Sequence, residues 1–216
     1  MGDKWDDKSR TIYDIQQEPE SIDIELEKLN LKRDDITDVI LTHLHFDHTG
    51  GSTKYVNEKL IPAFANAKYY VQKKNYEWAV NPSDRDKGSY LKENFEPLMS
   101  EGVLNFIDGN EYFDDEIQSL VINGHTFAQQ LIKISDYSNT LLFCGDLFPT
   151  ASHIPLPYVM GYDLQPLVTI QEKEMILDKA YEENWKLFFE HDPINLYATI
   201  ALTEKGYKTN GKYSSF

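Results

Sequence analysis

The chain has one cysteine, Cys144, among its 216 residues. A lone thiol cannot close an intrachain disulfide, and it leaves no thiolate set for a structural zinc site. Apolar runs long enough to span a bilayer, about 20 residues, are missing. So is a positively charged start followed by an apolar stretch, the mark of a secretory leader. Positive charge is scarce too: 21 Lys and Arg against 36 Asp and Glu leave a net charge of −15. A surface that negative repels phosphate backbones and anionic lipid headgroups, so neither nucleic acid nor membrane is expected as a partner. Internal repeats and low-complexity tracts are also lacking. These absences together describe a soluble protein of a reducing cytoplasm.

What is present is an ordinary globular composition, enough for one core, and a single domain over 1–216 is expected. Residues 1–20 read as polar and irregular. Ile22, Leu26 and Leu29 recur at helical spacing behind Ser21, a plausible N-cap, and predict a helix over 21–30. "DVILT" reads as a short buried strand ending at Thr42, and 67–72 as a second. Residues 73–101 read as two helical pieces broken by "NPSDRDKGS". After Gly102 come β-rich runs, "VLNFI", "IQSLVI", "LIKIS" and "TLLFC", then a proline-bearing connection over 147–169. A helix at about 171–184 and two strand-like runs, "KLFFE" and "LYATIAL", close the pattern. The mixture predicts a layered α/β (α+β) fold with β-hairpins in its middle.

The polar residues are less evenly spread. Half of the six histidines fall in "VILTHLHFDHTGG", residues 39–51, which holds His43, His45, Asp47 and His48. Four apolar runs lead directly into a potential ligand: "VILT" into His43, "SLVING" into His125, "LLFCG" into Asp146 and "KLFFE" into His191. One histidine after a strand is commonly an ordinary edge residue. Four such endings beside so dense a cluster point to groups gathered at one sheet rim, where strands hold ligands rigidly. Imidazole and carboxylate without thiolate suit Zn²⁺, and also Mn²⁺ or Fe²⁺, in sites that keep a position open for water.

The HxHxDH string, followed by a distant His125, Asp146 and His191, resembles the metallo-β-lactamase superfamily of dinuclear hydrolases. "THLHFDHTGG" and "FCGDLFP" are similar to the family's strings, and the likeness runs from about residue 3 to 205. The resemblance implies an αββα sandwich with the site at one edge of its sheets. It implies two divalent ions, zinc first, with His43, His45 and His125 on one, Asp47, His48 and His191 on the other, and Asp146 bridging. Asp47 and Asp146 are then catalytic, and a hydroxide bridging the ions attacks a small-molecule ester, lactone, thioester or phosphodiester. Relatives with other chemistry fit less well. Flavo-diiron enzymes of this fold have Glu where His45 stands, classical β-lactamases lack the bridging aspartate, and tRNA-processing nucleases need a basic surface. The rival readings are a mononuclear iron enzyme like the persulfide dioxygenases, and a non-catalytic metal-binding homologue.

Three features depart from the family. "HTFAQQ" stands in place of the usual His-Thr-Pro-Gly-His, so Phe127 and Ala128 replace the turn-forming pair and Gln129 the second histidine. Related lactonases carry a Tyr shortly after the bridging aspartate, where this chain has Pro149. "MGDKWDDK" resembles the text that follows the family's N-terminal strands, so the fold is expected to be N-terminally incomplete and its open edge to invite a second copy of the chain. The long connection is expected either to wall the substrate pocket, with His153, Tyr158 or Tyr162 near the metals, or to pack on a neighbouring subunit. Cys144, Trp78, Tyr76 and Tyr90 are read as packing residues, and the acidic run at Asp114 as a solvated turn.

Overall fold

The computed structural model describes residues 2, 4–16 and 21–215. They fall into two compact units, Met1–Ile107 and Asp108–Phe216. Unit one opens with a helix, α1 (Asp7–Tyr13), where an irregular segment was expected. Asp6 caps it by accepting from the Ser9 N–H (2.7 Å), and Asp14 ends it in a left-handed conformation, φ 50°. The helix lacks an apolar stripe; Trp5 and Tyr13 instead pack edge-on or tilted against Phe46. Helix α2 (Ser21–Lys28) matches the expected one; the cap expected of Ser21 concerns a side chain outside the described residues. The Asp23 carboxylate holds Arg33 through two bonds, at 2.6 and 2.9 Å.

Strand β1 (Asp38–Ile40) leads to the four-residue helix α3 (Phe46–Thr49) and a hairpin, β2 (Thr53–Val56) and β3 (Lys59–Pro62). The hairpin turns on Asn57 and Glu58, both at positive φ (47° and 64°), the twist that suits two-residue hairpin loops. Then follow β4 (Lys68–Gln72), α4 (Lys73–Val80), α5 (Glu96–Ser100) and β5 (Leu104–Ile107). Strands β1, β4 and β5 form a parallel sheet in that order. Its core gathers Leu44, Tyr69, Val71, Phe95 and Leu98.

Unit two is built on β6 (Ile117–Ile122), β7 (Gln129–Ser135), β8 (Thr140–Phe143), helix α6 (Pro166–Glu182), β9 (Lys186–Phe188), β10 (Tyr197–Thr203) and β11 (Gly206–Tyr213). The sheet order is β11-β10-β9-β8-β7-β6. Only β8 and β9 pair in parallel, and α6 is the crossover between them. Helix α6 begins about five residues earlier than expected because Pro166 occupies its first position, where the missing N–H has no intrahelical partner to lose. Its inner face, with Ile176, Leu177 and Ala180, joins Leu131, Leu142 and Leu187 in one core. Among the described residues no helix is long and apolar enough to cross a membrane.

Candidate metal centre

In unit one the Leu41 N–H donates to the Tyr70 carbonyl (2.9 Å), carrying the chain just past β1. His43 follows three residues after the strand's last residue, Ile40. Leu44 is wholly buried, and its N–H donates to Oδ1 of Asn75 on α4 (3.0 Å), which anchors the backbone midway between two imidazoles. His45 takes the extended conformation of a helix N-cap (φ −64°, ψ 150°), and its carbonyl accepts from the Thr49 N–H and hydroxyl. Helix α3 then presents Asp47 and His48.

The rings converge. His43 Nε2 lies 3.0 Å from His45 Nδ1, and the His43 and His48 ring centroids are 4.1 Å apart. Two nitrogens bound at about 2.0–2.1 Å to one tetrahedral ion sit about 3.3 Å apart, so the His43–His45 spacing suits a shared cation as well as a shared proton. His48 Nε2 and Asp47 Oδ2 are 3.5 Å apart. Tyr90 packs on the His45 ring, 4.8 Å between centroids.

In unit two, β6 and β8 both run antiparallel to β7, and β9 runs parallel to β8, so the C-terminal ends of β6, β8 and β9 share one edge. From each end a ligand type emerges three residues on: His125 after Ile122, Asp146 after Phe143, His191 after Phe188. Asp146 lies in a 3₁₀ turn, Gly145–Leu147. Its Oδ2 faces His125 Nε2 at 3.0 Å and its Oδ1 faces His191 Nε2 at 3.2 Å. One carboxylate oxygen to each of two imidazoles is the disposition of a bridging ligand. Gly145 suits the turn by its φ of 46°, and a Cβ there would stand 2.6 Å from Nε2 of the buried Gln129, whose amide would have to shift.

On its other side, His125 Nδ1 is 3.0 Å from Asp163 Oδ1. Burial alone would lower the His125 pKa, but its hydrogen bonds to the carboxylates of Asp146 and Asp163 raise it to about 9. Asp163 belongs to the long connection, and nothing in its sequence spacing marks it. Tyr158 and Tyr162, expected near the ligands, are 61% and 82% exposed. His153 is half-buried with Nδ1 2.9 Å from the Thr150 hydroxyl, and burial and the Lys173 charge hold its pKa low. Ala128 sits at φ 51°, the left-handed conformation that a glycine at this point of the family string adopts freely, and its N–H donates to Asn123 Oδ1 (3.0 Å). Cys144 is buried in the core, its thiol pushed up by burial and by the nearby Glu190.

Comparison with known proteins agrees with this chemistry. A family profile described as the metallo-beta-lactamase superfamily matches residues 9–192. The N-acyl homoserine lactonase AttM of Azorhizobium caulinodans is 24% identical over 196 residues, which cover 88% of this chain and 70% of that protein. An N-acyl homoserine lactonase of Bacillus thuringiensis is 26% identical over 170 residues, 77% of this chain and 60% of its own length. The chain thus spans about 60–70% of the length of these relatives. Among solved structures, a probable metal-dependent hydrolase from Staphylococcus aureus superposes with a TM-score of 0.88 at 25% identity, covering 99% of this chain and 75% of that one. The dizinc quorum-quenching lactonase AidC superposes at 0.78 with 20% identity, covering 95% and 73%, a likeness of fold.

Proposed function

We propose, since this chain belongs to the metallo-β-lactamase superfamily, that it is a metal-dependent hydrolase that opens lactone rings. The fold class read from the sequence, α+β of the metallo-β-lactamase type, is that of its structural neighbours. The observation that carries the functional reading is Asp146, whose two oxygens face two different imidazoles. His43, His45 and His125 would hold one ion and Asp47, His48 and His191 a second, with Asp146 serving both, so that 1–216 acts as one domain. Zinc suits this nitrogen and oxygen set best, with manganese or iron as substitutes. When bound, such a pair supplies Lewis acidity towards a carbonyl and lowers the pKa of water.

The chain's own groups do the rest. Asn75 and Thr49 hold the backbone on which His43 and His45 stand, so the imidazoles need little reorganisation. Asp47, 29% exposed at its side chain, is the carboxylate that orients the attacking water and takes its proton. The water oxygen bonds to the lactone carbonyl carbon, the ring C–O bond breaks, and the ring oxygen leaves as a hydroxyl carrying that proton. The names of the matched relatives make an N-acyl homoserine lactone the first substrate to try. The compartment that suits a single buried thiol is the cytoplasm.

The test joins metal analysis to turnover. Two zinc-like ions per chain, with lactone hydrolysis lost on chelation and restored by zinc, are expected from a panel of lactones, thioesters and phosphodiesters. One iron per chain and no hydrolysis would transfer the site to oxidation. Normal metal binding with no turnover of any of the three classes would leave a binding protein.

A further inference from the structure

We infer that Asp163 is a positioning residue for His125, fixing the imidazole so that Nε2 is offered to a metal while Nδ1–H stays bonded to the carboxylate. The inference rests on the metal reading above. His125 and Asp163 are 2% and 3% exposed, 38 residues apart in sequence and 3.0 Å apart between Nδ1 and Oδ1. A buried histidine whose one nitrogen bonds to a carboxylate has its tautomer and ring orientation fixed and its other nitrogen made more basic.

The backbone around the pair makes it more than a chance contact. The Leu164 N–H, next to Asp163, donates to the His125 carbonyl (3.1 Å), and the Gln165 N–H donates to the Gly124 carbonyl (2.8 Å). From α6, the Glu172 carboxylate accepts the N–H groups of Asn123 and Gly124 at 2.7 and 2.9 Å. The turn that carries His125 and the segment that carries Asp163 are therefore bonded together through both main chain and side chain. This clamp stands at a turn that lacks the family's proline. Phe127 leaves free a φ that the family's proline would lock, and Ala128 holds a conformation that glycine favours. The restraint on φ that the usual proline would supply locally is absent here, and the clamp restrains the turn from the far side of the ring.

The experiment uses the full chain with Asp163→Ala and Asp163→Asn. Three quantities are read: the downfield imidazole N–H proton resonance of His125, with and without zinc; zinc affinity by chelator competition; and kcat and KM separately on the best lactone. In Asp163→Ala the resonance is expected to vanish. One zinc equivalent weakens about 10–100-fold while the other holds within about twofold, and kcat falls with KM steady. Asp163→Asn, whose Oδ1 can still accept the N–H, should keep a resonance shifted upfield and recover most of the affinity. Wild-type affinity for both equivalents in Asp163→Ala, or an unchanged resonance in either variant, would overturn the inference. If Asp163→Ala does not fold, the resonance in Asp163→Asn decides alone. A wild-type chain that binds no zinc removes the metal reading. The resonance, which needs no metal, still decides whether Asp163 holds His125.

Discussion

Ala128 holds a backbone conformation that costs an L-residue about 1–2 kcal/mol, at φ 51°, because its N–H is tied to Asn123 and β7 must start at the very next residue. Glycine would remove the strain and add some entropy to the unfolded chain. Ala128→Gly is therefore expected to stabilise the protein by about 0.5–1 kcal/mol, raising the melting midpoint by about 1–4 °C, as thermal unfolding by circular dichroism would report. A fall in the midpoint would mean that the Ala128 methyl, almost fully buried, contributes more than its backbone costs. At this same scale the ligand types were legible in the text because each follows an apolar run: His43, His125, Asp146 and His191 all stand three residues beyond a strand. Asp163 and Asn75 were not legible. Their roles are set by bonds to a ring nitrogen 38 residues away and to a backbone N–H 31 residues away, and such pairings leave no local pattern.

Helix α6 is the element that ties the long connection down, and Lys173 is its means. The side chain is wholly buried, and its ammonium donates to the carbonyls of Pro155 (2.8 Å), Leu156 (3.1 Å) and Tyr158 (2.7 Å), with the Phe148 ring 5.7 Å away. Burial pushes the Lys173 pKa down to about 8 from the usual 10.5, outweighing the opposite pull of Asp163; His153 is the other titratable group that feels this charge. The sign of the pH effect follows. Below pH 8 both folded and unfolded chains carry the proton. Between about 8 and 10.5 the unfolded chain holds a proton that the folded chain has released, so this group's contribution to stability rises with pH. Denaturant midpoints of the wild type and Lys173→Met at pH 7 and 9.5 should show the difference between them moving in favour of the wild type. A constant difference would place the folded pKa at the ordinary lysine value. Elements of this kind were unevenly legible. The β-rich run over 117–122 coincides with β6, whose Ser119 and Ile122 are buried. The β2–β3 hairpin was missed because its turn is Asn57-Glu58 rather than Asn-Gly. Strand β11 was missed because "GYKTNGKY" is an edge strand, paired on one side and largely polar. Helix α1 was missed because aromatic contacts hold it rather than an apolar stripe.

For the molecule as a whole the dominant long-range quantity is its charge of −15, which two divalent cations would offset only in small part. A field of that sign acts at distances where packing and hydrogen bonds do not, and it sorts substrates before any contact is made. A neutral lactone feels none of it on approach, whereas a phosphodiester carries a charge of the repelled sign. Salt separates the two cases, because the Debye length falls from about 10 Å at 0.1 M ionic strength to about 3 Å at 1 M. For a neutral lactone, kcat/KM should stay within about twofold between low and high ionic strength. For an anionic phosphodiester whose turnover is limited by encounter, it should rise several-fold as the repulsion is screened. The comparison is to be made in one buffer with an inert salt and zinc held saturating, so that metal loading does not vary. Equal responses of the two substrates would show that the negative charge lies away from the path of approach, and discrimination between ester classes would then belong to contacts at the ligands. An unequal response would make the acidic surface itself part of the specificity, directing this member of the superfamily towards uncharged rings.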